Sequence, residues 1–469
     1  MLEITDQSRK WWILIAMGTC GGLIMLDETV VGVALPTLRR DLGMSDVVSH
    51  WVISAYLLVF TGAAAASGKL GDVIGFKNLV IVGASVFGLA SLASGFAESG
   101  AFLIAACAVR GLGAAVIFPA RFAMLIIAFP KEQRGMAIGI LGAIGTTFLA
   151  LGPLVGGFLT EIFSWRWIFW INIPIASLIV AIVLAAWEDP PREATHSSFD
   201  YAGLVTLAAG IGMLVFAIMQ GSTWGWTQGI IPWLLAGGIA LLSLFVLIEL
   251  RRQVPLIEVR LFRSASFSAC TLVFFVGQFS KMTIIVFGSL YLQDKLGMGP
   301  LIAGFALLAA VGGFPVFSAP AGRLADRIGA RRPVLGGMAL ATLAMFWIGL
   351  TAGWDSYVLL LPGLILWGIG LPFCYAPATR AMANAVPTEK QGQLGGIAVT
   401  ARLLGGTIGV AICSTLLIMT GDFQVVFLVT GAIMLAIFLF GWFAIEPRHG
   451  VEIPSAHTGR APGAVPEAH

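Results

Sequence analysis

The decapeptide "GKLGDVIGFK" (residues 68–77) returns 254 positions later as "GRLADRIGAR" (322–331). The same offset aligns "LGM" (42–44) with "LGM" (296–298), and "PKEQRG" (130–135) matches "PTEKQG" (387–392) at an offset of 257. Around these copies the chain runs in apolar stretches of about 20 residues, enough at ~1.5 Å per residue to cross a ~30 Å hydrocarbon layer. Of the 469 residues, 58% are hydrophobic and 11% charged. A soluble domain carries roughly 25% charged residues, so this chain could not cover a water-facing surface. The apolar runs do not alternate with period two, which excludes a transmembrane barrel. The reading is a polytopic helical membrane protein.

Fourteen spans are expected, starting near Trp11, Ser49, Leu79, Ala101, Gly135, Arg166, Tyr201, Ile230, Ser264, Pro300, Pro333, Ser356, Gln393 and Phe423. The repeat then divides the chain into an N-terminal six-helix bundle (1–187), a linker segment with two inserted spans and an inner-surface stretch (188–263), and a C-terminal six-helix bundle (264–446). A tail rich in Pro, Ala and Gly (447–469) reads as disordered and cytoplasmic. Six is even, so both bundles enter from the same side and are related by a pseudo-two-fold axis along the membrane normal. Repeats of this kind place a substrate site near the midplane, where the halves meet. The first span is expected to persist rather than to be cleaved as a signal peptide, because Asp27 interrupts what would be the apolar region.

With the N-terminus inside, eighteen Lys and Arg residues fall in inner segments and four (Arg39, Arg40, Arg166 and Lys295) in outer loops. This bias places both termini in the cytoplasm and the protein in the cell membrane. The net charge of +3 thus reports topology, with no implication of nucleic acid binding. The five cysteines all fall within spans, without metal-ligand spacing, and read as small apolar packing residues.

Several stretches resemble the major facilitator superfamily, and within it the fourteen-span drug:proton antiporters. "LDETVVGVALP" (26–36) is similar to that branch's first-span motif. "GKLGDVIGFK" and "GRLADRIGAR" resemble the superfamily's loop motif after the second span of each half, and "LGPLVGG" (151–157) the antiporter motif of span five. "WRWIFWINIPI" (165–175), "FDYAGL" (199–204), "RLFRSASF" (260–267) and "TARLLGGTIGVAI" (400–412) are similar to stretches that recur in the same branch. The resemblance covers residues 11–446. It implies an exporter that exchanges protons for amphipathic or cationic compounds, without a cofactor other than the proton gradient. It also implies that Gly152, Pro153, Gly156 and Gly157 shape the outward leg of the antiporter. The span-four stretch "CAVRGLGAA" (107–115) departs from the family pattern, with Cys107 at the motif's Arg position and Arg110 at its Gln position. Three residues turn a helix by about 300°, so Arg110 faces within about 60° of the lost Arg, one turn away.

An ionisable group inside a membrane costs about 2.5–3.5 kcal/mol on insertion scales, which marks Asp27, Glu28, Arg110 and Lys281 for proton or substrate coupling. A buried carboxyl can bind and release protons near neutral pH. Glu28 is rotated about 100° from Asp27, so the two are not expected to point into one cavity. Asp27 occupies the family's motif position and is assigned to the cavity, with Glu28 facing a groove. Lys281 lies 254 residues after Asp27, at the matching depth of the other half. Asp27 or Glu28 is its expected partner in one transport state, the alternative being a lysine that snorkels along a water-filled vestibule. Arg121 and Arg380 are expected to snorkel to the inner surface. Arg402 is expected to bind carbonyls at a helix interface.

In the loop motifs, Gly68 and Gly75, with Gly322 and Gly329, permit tight inner turns. Asp72 is expected at a helix N-terminus, where the dipole favours an anion, and Asp326 with Arg323 and Arg327 would repeat that latch. Gly152, Gly156 and Gly157 have small-residue spacing that allows close contact between spans, and Pro153 can bend span five. No nucleotide-binding loop, metal cluster or nucleophile triad appears, so neither ATP-driven transport nor an enzyme is expected. The alternatives are the same fold exporting a specific metabolite, lipid or peptide, and a non-transporting receptor or scaffold. The loop around Gly421 and Asp422 is short. The expected partners are therefore protons, a small-molecule substrate and the lipid bilayer, with no obligate periplasmic adaptor and function as a monomer.

Overall fold

The computed structural model describes residues 6–189, 200–252, 255–384 and 394–445. The matches at 387–392 and the tail from 447 onward lie outside the described residues, as does most of the linker after 188. The described chain forms fourteen helices long and apolar enough to cross a membrane. The first six are α1 (Ser8–Asp41), α2 (Asp46–Ile74), α3 (Phe76–Gly95), α4 (Gly100–Ala128), α5 (Arg134–Ile162) and α6 (Trp167–Ala186). An inserted pair follows, α7 (Tyr201–Trp224) and α8 (Ile231–Arg251). The last six are α9 (Ala265–Lys295), α10 (Pro300–Ile328), α11 (Arg331–Trp354), α12 (Tyr357–Met382), α13 (Gly396–Thr420) and α14 (Phe423–Ala444).

Polar residues start several of these helices in the way an N-cap requires. Ser45, Ser99 and Ser264 each accept a hydrogen bond from a backbone amide three residues on, and Asp422 accepts one from Gln424, two residues on. The two loop motifs share one device. Gly75 and Gly329 occupy equivalent repeat positions and hold φ of 87° and 83°, a backbone region that side chains avoid.

Helix pairings repeat eight helices later. α1 packs on α4, α5 and α6 as α9 packs on α12, α13 and α14; α4 packs on α2 and α3 as α12 packs on α10 and α11. The six-helix bundles meet along two seams, α5 with α10 and α2 with α13. The inserted α7 lies on the second seam, touching both α2 and α13, and α8 packs on α7. Thr415 on α13 donates to the Ile218 carbonyl of α7 at 2.7 Å, which fixes the insert to the C-terminal bundle.

Asp72 departs from expectation. The backbone of α2 stays helical to Ile74, so residue 72 falls in the final turn, at the helix's negative end. The reason is that Gly75 alone makes the turn, and the helix has no need to stop earlier. The side chains of Gly68 and Asp72 lie outside the described residues.

Candidate functional site

Asp27 and Glu28 stand side by side on α1, and α1 faces both its own bundle and the opposite one. Both carboxylates line one cavity, with Tyr56, Arg110 and Met282 around them. This corrects the expectation that they could not share one. Their ~100° separation instead sends them to different partners across that cavity.

Asp27, 2% exposed, turns into its own bundle. Asn172 of α6 donates from Nδ2 to Asp27 Oδ1 at 3.1 Å, and Arg110 of α4 places Nε 3.3 Å from Oδ2. The ion pair lacks hydrogen-bond alignment: among the described residues, Asp27 Oδ2 and Arg110 Nε and Nη1 have no hydrogen-bond partner. Aromatic rings hold the guanidinium instead, Phe169 at 4.7 Å and Tyr56 at 5.3 Å from ring centroid to charge, in cation–π geometry. Arg110 therefore reaches Asp27 from one turn beyond the family's motif position.

Glu28 turns to the C-terminal bundle. Lys281 of α9 donates to Glu28 Oε2 at 2.7 Å and Gln278, one turn earlier, donates to the same oxygen at 3.3 Å. Of the two partners open to Lys281, the structure brings Glu28. The backbone after Lys281 passes into a π-helical turn, Thr283–Phe287, and α9 carries a second at Tyr291–Lys295. Such turns are rare and often mark functional segments.

A second cavity, lined by Met25, Phe60, Phe118, Gln278 and Arg402, opens on the other side of Glu28. Each cavity leaves ≈ 10 Å³ of free space, about the volume one water needs, so the halves close tightly around the carboxylates. Asn172, Gln278 and Tyr56 are site residues that sequence reasoning passed over. The signal for Asn172 was present, a lone amide within "WRWIFWINIPI".

The span-five motif sits where two spans approach closely. A β-carbon added to Gly156 would lie 2.9 Å from the Val30 carbonyl oxygen of α1, and one on Gly157 would collide with the Pro300 carbonyl oxygen of α10. Gly152 abuts Thr29, and the Pro153 carbonyl oxygen lies against Gly304. The same face of the molecule, away from the N-terminus, carries further ties between the bundles. Arg39 pairs with Asp294 at 2.9 Å, Gln293 donates to the Val33 carbonyl oxygen at 2.7 Å, and Glu161 accepts from the Leu301 amide at 2.8 Å. In the other seam His50 and Ser414 share a buried 2.6 Å hydrogen bond, and Thr61 meets Thr407 at 3.1 Å.

Two basic residues, Arg121 and Arg402, lie otherwise than expected, whereas Arg380 reaches the surface. Arg121 does not reach a surface; it is 4% exposed, its guanidinium over the Phe118 ring and against Gly21. Arg402 binds no carbonyl among the described residues and lies over the Tyr375 ring. Arg380 is exposed and pairs with Asp326, which engages neither Arg323 nor Arg327. The reason is geometric, since α10 and α12 pack side by side at that end, whereas Arg323 and Arg327 point away into solvent. Gly322 has open space around it. Among the described residues, no three His, Cys, Asp or Glu side chains group as a metal site would require.

The family model described as Major Facilitator Superfamily matches residues 17–410 and 269–465. The multidrug resistance protein Stp of Mycobacterium tuberculosis is 32% identical over 408 residues, 86% of this chain and 75% of Stp. The tetracenomycin C resistance and export protein of Streptomyces glaucescens is 30% identical over 421 residues, 88% of this chain and 76% of that protein. The crystal structure of a D-xylose–proton symporter superposes with a TM-score of 0.70 at 13% identity, covering 93% of this chain and 98% of the symporter. With fourteen spans and drug-resistance transporters as its relatives, the chain belongs to the Major Facilitator Superfamily, a family of membrane transporters that move small molecules.

Proposed function

We propose that the protein exports amphipathic small molecules in exchange for protons, by alternating access between its two bundles. The observation that carries this reading is the divided carboxylate pair: Asp27 is held within its own bundle by Arg110 and Asn172, while Glu28 ties that bundle to Lys281 of the other. A proton arriving at Asp27 removes the charge that Arg110 faces and frees the guanidinium to move within its aromatic seat. Loss of the Glu28 charge removes the attraction to Lys281, and the bundles can part. Substrate and proton thus compete for one small, buried centre, the arrangement exchange requires. The names of the relatives, resistance and export proteins, support the outward direction. The Lys and Arg bias supports cytoplasmic termini in the cell membrane. The short link between α13 and α14 supports export by a monomer without an obligate periplasmic adaptor, and the proton gradient serves in place of any cofactor.

The test is proton release in proteoliposomes. A substrate is first identified by a susceptibility panel in a pump-deficient bacterial strain, then added to vesicles containing a pH-sensitive dye. Asp27→Asn is expected to abolish substrate-driven proton movement while leaving the protein inserted and substrate bound. Full proton movement in this variant would remove Asp27 from the coupling role.

A further inference from the structure

Among the described residues, the centre between the two six-helix bundles holds two acidic side chains, Asp27 and Glu28, and both are engaged. Four basic side chains share that centre: Arg110, Lys281, Arg121 and Arg402. Arg110 and Lys281 answer the two carboxylates. Arg121 and Arg402 have no acidic partner within ion-pair distance among the described residues, so with every group ionised the centre carries two positive charges in excess.

Of the two unmatched guanidiniums, which belong to opposite bundles, one lines the second cavity and the other lies behind its Phe118 wall. Arg402 of α13 lines it directly. Arg121 of α4 lies 3.8 Å from the centroid of Phe118, another lining residue, and its Nε has no hydrogen-bond partner. The Nε of Arg402 is likewise buried and unpartnered. Each charge acts on the other, Arg402 also acts on Lys281, and the Glu28 carboxylate offsets part of the effect on Arg121. A buried guanidinium nitrogen without a hydrogen-bond partner is expensive, and a second like charge nearby adds to the cost. Glu28 and Gln278 also line the cavity, the carboxylate already committed to Lys281, and the rest of its wall is apolar and aromatic, with Met25, Phe60 and Phe118.

We propose that Arg402 and Arg121 form the seat for an anionic group on the substrate, a carboxylate, sulfonate or phosphate, whose aromatic or aliphatic body packs against Phe118 and Phe60. The inference rests on the transport reading above and names its substrate class. A guanidinium offers a planar fork of donors that matches such an oxyanion two atoms at a time. Glu28 is committed to Lys281, so an anion there supplies the counter-charge the two guanidiniums still lack, and it draws the two bundles together from both sides. Cationic substrates, by contrast, would enter a centre whose excess charge repels them.

Binding to the purified full-length protein in detergent tests this with a matched pair of probes, 2-naphthoate and the neutral 2-naphthamide. The wild type is expected to bind the acid at least tenfold more tightly than the amide and to unfold at a higher temperature with the acid present. Arg402→Gln and Arg121→Gln should each lose that preference while keeping the weak affinity for the amide, and Arg402→Lys should keep part of it. Elution and unfolding profiles without probe show that each variant is folded. Equal affinity for acid and amide, no saturable binding of the acid up to millimolar concentration, or a preference that survives in both Gln variants would each overturn the proposal. Asp27→Asn keeps both arginines and should keep the preference whether or not export is proton-coupled. Failure of proton coupling and failure of the anion seat are therefore read separately.

Discussion

Lys281 of α9 and Glu28 of α1 form a 2.7 Å ion pair between the two bundles, with both side chains almost wholly buried. The contact joins residues 253 positions apart and lies next to a second carboxylate, Asp27, that faces the other way. One helix thus holds its own bundle together and reaches the opposite one from consecutive positions.

Removing one partner of this pair strands the other. Lys281→Met leaves Glu28 with Gln278 as its remaining donor, and a broken buried pair costs about 3–5 kcal/mol. The variant should unfold at a distinctly lower temperature than the wild type in detergent. Exchanging the charges, Glu28→Lys with Lys281→Glu, should recover part of the loss, whereas Asp27→Lys with Lys281→Asp should not. Equal recovery by both exchanges would show that the 2.7 Å contact does not set the partner.

Asn172 holds Asp27 from α6, and Asn172→Leu removes that donor without creating a cavity. A hydrogen bond to a charged group contributes about 1.5–3 kcal/mol. The expected outcome is substrate binding within a factor of a few of the wild type, with the pH dependence of transport displaced. Isothermal binding and a pH series of vesicle uptake separate the two. An unmoved pH profile would leave Asn172 as packing alone.

Gly304 of α10 fits against the Pro153 carbonyl oxygen of α5, with no room for a side chain. Gly304→Val should pry apart the seam on the face away from the N-terminus, where Gln293 and Arg39 tie the bundles. A cysteine placed at Gln293 should then react at least several-fold faster with a water-soluble maleimide than the same cysteine in the Gly304 background. Unchanged labelling would mean the seam tolerates the extra volume.

The turns at Gly75 and Gly329 hold φ of 87° and 83°, and a side chain in such a region costs about 1–3 kcal/mol. Gly329→Ala and Gly75→Ala should each lower the unfolding temperature, by similar amounts because the two halves use the same device. Gly322→Ala, at a position with open space, serves as the control and should be nearly neutral. Equal stability of all three variants would show that the loop motif relaxes around the added carbon.

The spans are legible in the amino-acid sequence because a helix in lipid must satisfy its own backbone, so hydropathy over about 20 residues reports a helix directly. The expected starts fall within three residues of those observed, from Trp11 against Ser8 to Phe423 at the same position. The repeat at 68–77 and 322–331 likewise announces two bundles, and its glycines the turns at Gly75 and Gly329. Single intramembrane charges stand out for the same reason, the cost of placing them there. What each charge touches is not legible. Asp27 and Glu28 differ by one step along α1, about 100° of rotation, and which of them meets Arg110 and which Lys281 depends on how α1 is turned about its axis by α4, α6 and α9. Arg121 reads as a residue near an inner helix end, yet its side chain runs inward along Phe118 because Gly21 leaves room on α1. The place of the inserted pair along the α2–α13 seam is also a tertiary fact. Sequence periodicity records burial and helical phase within one span; the partner of a buried charge is set by helices that the chain reaches only after a hundred residues or more.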